Sequence, residues 1–162
     1  MKYLAALVVF FVFFAILPET TKSQAKTSQL CEQKVEYSVV APDAAANPEL
    51  RAFSGVWSGN VTFQPTVEMC VALVVEKIEA DGKVDTKFVW LTGSSTGIEN
   101  LVSLGAVSWS GKIEGDTLRL VGTNNGNTYT YVFRPKGTNE MTGSFFQNSH
   151  QYPLALRRRQ AG

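Results

Sequence analysis

Phe53-Ser54-Gly55-Val56-Trp57-Ser58-Gly59-Asn60-Val61-Thr62-Phe63 is the stretch on which the fold turns. Phe53, Gly55, Trp57, Gly59, Val61 and Phe63 occupy every second position, and the residues between them are mostly small or polar. A period of two puts the first set on one face of a β-strand and the second set on the other. Just upstream, Asn47-Pro48-Glu49-Leu50-Arg51 has the marks of one short helical turn, with an Asn at the cap and a Pro at the first helical position.

The same strand character continues to Arg158, cut by turn signals at short intervals. Strands are expected at about 54–63, 68–79, 84–92, 104–113, 117–122, 128–134, 140–147 and 151–158. Asp81-Gly82, Gly115-Asp116 and Asn125-Gly126 supply the positive φ that tight hairpins need, and Pro135-Lys136-Gly137 serves a longer loop. Parallel crossovers take a dozen or more residues, so strands with links this short form an antiparallel meander. Alternation sorts the faces: Phe88 and Trp90 oppose Asp85 and Lys87, while Val107, Trp109 and Ile113 oppose Ser108, Ser110 and Lys112. Tyr129, Tyr131 and Phe133 oppose Thr128, Thr130 and Arg134, and Met141, Gly143 and Phe145 oppose Glu140, Thr142 and Ser144. A meander with one aromatic and one polar face closes most economically into a barrel, which removes its edges. The expected fold is therefore all-β, an eight-stranded antiparallel up-and-down barrel, with a two-sheet sandwich as the alternative.

Met69 to Val75 is apolar on both faces, so its outer side needs a cover. The candidate is the polar, weakly patterned segment 26–46, read as an extended arm. Ahead of it, Lys2 precedes an unbroken apolar run from Leu4 to Leu17, which Pro18 ends. That run is shorter than the roughly 20 residues a spanning helix needs. With Ser23-Gln24-Ala25 as a small-x-small site, the pattern is that expected of a secretory signal peptide cleaved after Ala25, an uncleaved anchor helix being the alternative. The expected organisation is a signal peptide at 1–25, an arm with a helical turn at 26–52 and a barrel domain at 53–159. The mature chain is expected to be secreted or periplasmic, without stable membrane insertion. Export means an oxidising compartment, so Cys31 and Cys70 are expected to form a disulfide, two buried free thiols being the alternative. Such a bond would enclose about 40 residues and contribute about 4 kcal/mol in the chain-entropy model.

The chain has 162 residues, 44% hydrophobic and only 18% charged, which excludes a disordered protein. Its net charge of +1 excludes a strongly basic nucleic-acid binder. One His and two Cys leave little material for a metal site, and none is expected.

Phe53-Ser54-Gly55-Val56-Trp57 after a short helical turn resembles the Phe-x-Gly-x-Trp opening of lipocalins and other calycins. The resemblance implies that Trp57 lies at the closed end of the barrel, with an Arg from the last strand packed across it. Arg158, on the parity of Leu154 and Leu156, is the matching residue, and Gly55 stands beside them. Phe53 to Arg158 also resembles small exported bacterial proteins that share a Gly-x-Trp start, a Leu-Val-Val-Glu-x-Ile strand, a Trp-x-Gly-x-Ile strand and a terminal Leu-x-Arg. Gly55-x-Trp57 followed by Cys70-Val71-Ala72-Leu73 is similar to exported bacterial metalloprotease inhibitors, eight-stranded barrels that act through an N-terminal arm. Avidin-type barrels also open on Gly-x-Trp, but the Asn expected two residues after the Trp is Gly59 here.

Catalytic patterns are nearly missing. His150 falls in an expected turn, Gln147-Asn148-Ser149-His150, and no Gly-x-Ser-x-Gly elbow or phosphate loop occurs. Glu76, Glu79, Asp81 and Asp85 crowd the second hairpin and are read as solvated charges. No enzyme, catalytic residue or cofactor is expected. Trp90, Trp109, Tyr129, Tyr131 and Phe145 either line a ligand cavity or fill the barrel, since small barrels are commonly solid. Residues 93–103 form the longest link and carry Ile98, Leu101 and Val102, the pattern of a lid over the open mouth, with a loop folded onto the barrel wall as the alternative. The functional expectation is an exported, non-enzymatic barrel that binds a small apolar or glycan-like molecule. The alternative is a protein-interaction module, such as a periplasmic protease inhibitor acting through its arm.

Overall fold

The computed structural model describes residues 26–31, 33–42, 47–64, 67–92, 106–124, 126–147 and 150–160. The expected signal peptide and the link at 93–103 lie outside the described residues. In chain order the elements are β1 (Lys26–Leu30), β2 (Gln33–Tyr37), α1 (Pro48–Arg51), β3 (Gly55–Gln64), β4 (Val67–Ile78) and β5 (Lys83–Thr92). They continue with β6 (Ala106–Glu114), β7 (Thr117–Asn124), β8 (Asn127–Lys136), β9 (Glu140–Gln147) and β10 (His150–Arg158).

β3 to β10 form a closed barrel in which every strand pairs antiparallel with its sequence neighbours. β10 returns to β3 in the register Ala155↔Asn60, Leu156↔Gly59, Arg157↔Ser58 and Arg158↔Trp57. The expected strands stand within a few residues of their places. His150 differs: it opens β10 opposite Gln147 and is not a turn residue.

One end of the barrel is closed by α1 and the chain that follows it. Asn47 caps the turn, its side chain accepting from the Glu49 amide at 2.9 Å, and Leu50 packs against the core. Phe53 and Trp57 are fully buried behind it, and the Trp57 indole Nε1 donates to the Phe53 carbonyl at 2.8 Å.

Residues 26–37 differ from the expected extended arm. β1 and β2 form an antiparallel hairpin in the register Ser28↔Val35 and Leu30↔Gln33. Leu30, Cys31, Val35 and Tyr37 are buried in a second core with Ala72, Val74 and Val89, on the outer side of β4 and β5. This is why β4 is apolar on both faces: one face looks into the barrel and the other lies under the hairpin. The turn escaped notice because no Gly, Asn or Asp marks it. Cys31 itself takes the left-handed backbone conformation there, at φ 49°, and is bonded to Cys70 with a Cα–Cα distance of 5.5 Å.

Beyond the hairpin, a bulge at Glu76 keeps the chain pinned. The β4–β5 register slips between Val75 and Lys77. The Glu76 carbonyl then accepts from the Val40 amide at 2.8 Å, and its carboxylate accepts from the Ser38 amide at 3.0 Å. Lys87 approaches the same carboxylate at 3.5 Å and donates to the Glu36 carbonyl.

Candidate functional site

The interior of the barrel grades from sealed to open. At the closed end Phe53, Trp57, Leu118, Phe133, Met141 and Leu156 are all fully or almost fully buried. Arg158 seals this end. Its guanidinium carbon lies 4.1 Å from the centre of the Trp57 ring. Its Nη2 donates to the Ala52 carbonyl at 2.8 Å, its Nη1 to the Ser54 carbonyl, and its Nε to the Thr138 carbonyl at 2.9 Å. Gly55 makes this possible: at φ +112° it adopts a backbone conformation closed to most residues, and an added Cβ would stand 2.9 Å from Nη1. Gly55, Trp57 and Arg158 therefore meet in one structural cluster.

Midway along the barrel, the Phe88 and Tyr131 rings from β5 and β8 meet across the interior with centroids 4.4 Å apart. Two strands separate β5 from β8 around the wall, so these rings close the lumen at this level. Phe133 stacks beneath Tyr131 at 6.1 Å. The closed-end half is thus a filled core.

Above this floor, the residues proposed to meet a ligand lie in one connected cluster. Trp109 stacks on Phe88 at 5.6 Å and tilts against Trp90 at 5.8 Å. Tyr131 stacks with Phe145 at 5.1 Å, and Phe145 with Tyr129 at 6.0 Å. The strand directions place Trp90, Tyr129 and Tyr152 towards the end opposite α1. These three, with Val107, are only partly buried, whereas Phe88 is fully buried. The described aromatics form a shallow cup with a solid floor.

Tyr152 belongs to this cup and was missed. Its ring stacks on Phe145 at 5.3 Å. It shares the parity of Leu154 and Leu156, a signal the sequence did carry. Phe88, identified as inward-facing, supplies the floor.

Trp109 owes its position to two neighbours. Its carbonyl accepts from the buried Thr86 hydroxyl at 2.8 Å. Its indole lies flat on Gly122 of β7, where a Cβ would come within 2.0 Å of the ring. The β6–β7 ladder ends at Gly111↔Leu120, so Trp109 and Gly122 face each other where the two strands are no longer paired.

Burial holds the Tyr131 phenol well above the ordinary tyrosine range, with a smaller push from Tyr129. It therefore acts as a neutral hydrogen-bond donor throughout the physiological range. No fully buried side-chain nitrogen or oxygen lacks a partner among the described residues. The Tyr131 hydroxyl and Trp109 Nε1 make no hydrogen bond among those residues, so neither atom is completely shut off from solvent.

Glu79 and Asp81 of the second hairpin are paired at the surface, whereas Glu76, expected to be a solvated charge, is partly buried against Ser38 and Lys87 because the bulge turns it towards the chain after β2. Glu79 meets Lys77 at 2.8 Å and Asp81 meets Lys83 at 3.2 Å. A backbone hydrogen bond from Lys83 holds the Asp81 carboxyl below its usual range.

β3 to β10 form a closed eight-stranded antiparallel meander. No family model matches the chain, and no curated protein sequence matches it. Among solved structures it is similar to a variant of the fluorescent protein UnaG, with 15% identity and a TM-score of 0.41 over 65% of this chain and 95% of that one. A likeness this distant bears on neither ligand nor activity.

Proposed function

We propose that this protein is an exported, non-enzymatic carrier that binds a small apolar or glycan-like molecule in the aromatic cup at the open end of its barrel. The observation that carries the reading is the gradient of exposure. Phe88 and Tyr131 form a sealed floor, while Trp90, Tyr129 and Tyr152 remain partly exposed above it. Rings held at the surface by a rigid floor offer stacking area with little side-chain entropy left to lose. The disulfide fits an oxidising extracellular or periplasmic compartment. No helix among the described residues is long and apolar enough to cross a membrane.

The alternative, a protease inhibitor acting through its arm, has less support. The apolar side of the β1–β2 hairpin is buried on the barrel wall and is not free to enter a partner's cleft.

The test is titration with the neutral fluorophore N-phenylnaphthylamine, read by energy transfer from tryptophan. Saturable binding is expected. Trp90→Ala, a change at the partly exposed rim, should weaken it about tenfold without altering the far-ultraviolet spectrum. A barrel that binds no probe, and that carries no small molecule when purified gently from its own host, would defeat the reading.

A further inference from the structure

We infer that the cup selects an uncharged, planar ligand carrying a hydrogen-bond acceptor, and that it rejects carboxylates and other anions. This rests on the carrier reading above and goes beyond it by naming the ligand's charge.

The placement of the chain's cations carries the inference. Arg158 is the one cation in contact with the interior core among the described residues, and it sits at the sealed end. Three main-chain carbonyls and the Trp57 ring already engage its guanidinium there. Lys87 points outward to Glu36 and Glu76 beneath the hairpin. Lys83, Lys112 and Arg119 face one another in register on the outer wall, with Lys83↔Lys112 on β5–β6 and Lys112↔Arg119 on β6–β7.

The interior itself is apolar. Thr86 is the only buried polar side chain among the described residues, and its hydroxyl is committed to the Trp109 carbonyl. An anion placed on this floor would lose its hydration and meet no Lys or Arg among the described residues, the one imidazole nearby being His150, which stacks on Tyr152 at 6.3 Å at the rim; this is costly in a weakly polar site. The Tyr131 phenol, held in its neutral form by burial, reports the same environment. A neutral acceptor is served differently. The Tyr131 hydroxyl and Trp109 Nε1 can each donate to it, and the surrounding rings can stack on its plane.

An isosteric pair tests this directly: acetylnaphthalene, a neutral ketone, against naphthoate of the same ring position, both by calorimetry on the whole protein. At about pH 8, where a carboxylic acid is ionised, the ketone should bind at least about thirtyfold more tightly than naphthoate. Both should compete with N-phenylnaphthylamine. As pH falls towards about 4, naphthoate should regain affinity as it becomes the neutral acid, in the unaltered protein and in His150→Gln alike, since His150 is the titratable ring stacked on Tyr152 at the rim, while the ketone's affinity stays level. Tyr131→Phe, which keeps the ring and removes the donor, should weaken the ketone without weakening N-phenylnaphthylamine. Equal or tighter binding of naphthoate at the higher pH would overturn the inference while leaving the carrier reading intact. Binding of none of the three probes would defeat both.

Discussion

Arg158 makes the densest set of interactions of any charged side chain described in this protein, and it makes them at the seam where the last strand meets the first. Its guanidinium covers the Trp57 ring and satisfies carbonyls from Ala52, Ser54 and Thr138. Those carbonyls come from the α1 exit, the start of β3 and the β8–β9 turn, so a single side chain ties three parts of the closed end together. Removing it leaves carbonyls without donors and an indole face without its cation. Arg158→Ala should destabilise the fold by about 1–3 kcal/mol in chemical denaturation. Arg157→Ala is the control: Arg157 points outward and meets Glu140 only at 3.9 Å, with its side chain 85% exposed. It should change stability by less than about 0.5 kcal/mol. Equal effects would mean that Arg158 is no more than a surface charge. Its position was legible because the resemblance to lipocalins implies an Arg from the last strand across the Trp, and parity with Leu154 and Leu156 singled out Arg158.

At the scale of elements, the β1–β2 hairpin is held by a covalent bond, a bulge and a small core of its own. The disulfide joins residues 39 apart in sequence, and the chain-entropy model gives a closed loop of that size about 4 kcal/mol. Leu30, Val35 and Tyr37 then bury the outer faces of Ala72, Val74 and Val89. Cys31→Ser combined with Cys70→Ser should cost about 3–4 kcal/mol. It should also raise amide exchange across 26–37 well before exchange rises in β6 to β10. Loss of the whole barrel in one step would show that the hairpin is part of the barrel's cooperative unit. The need for a cover was legible in the doubly apolar β4, but its form was not. A positive φ on Cys31 carries no signature in sequence, and the bulge at Glu76 arises only from its pairing with β5.

For the molecule as a whole, the filled floor sets how stability responds to alkali. Tyr131 is buried between Phe88, Phe133 and Phe145, and its folded-state pKa lies above the unfolded value of 10.0. A raised acid pKa means that the unfolded chain releases this proton first. The contribution is therefore fully present below about pH 10 and is lost as pH rises through the window above it. Stability should fall there by up to about 1.4 kcal/mol per pH unit from this group. Tyr131→Phe should flatten that limb when denaturation is followed from about pH 9 to 11. An unchanged slope would place the phenolate in water and contradict a closed floor.

Strand identity and the inward set of residues were determined by local sequence, whereas the choice between a closed barrel and a two-sheet sandwich was decided by the pairing of β10 with β3. Alternation with a period of two depends only on backbone geometry, and hairpin glycines act within a few residues of themselves. Whether the aromatic set lines a cavity or fills the barrel was left open, because parity says which side chains point inward and not how far they reach. Only the tertiary structure decided that Phe88 and Tyr131 touch across the interior while Trp90, Tyr129 and Tyr152 stay partly exposed. The same holds for Trp109, whose ring rests on a glycine 13 positions further along the chain. Contacts of this kind depend on barrel diameter and on the stagger of distant strands, quantities fixed when the sheet closes and not before.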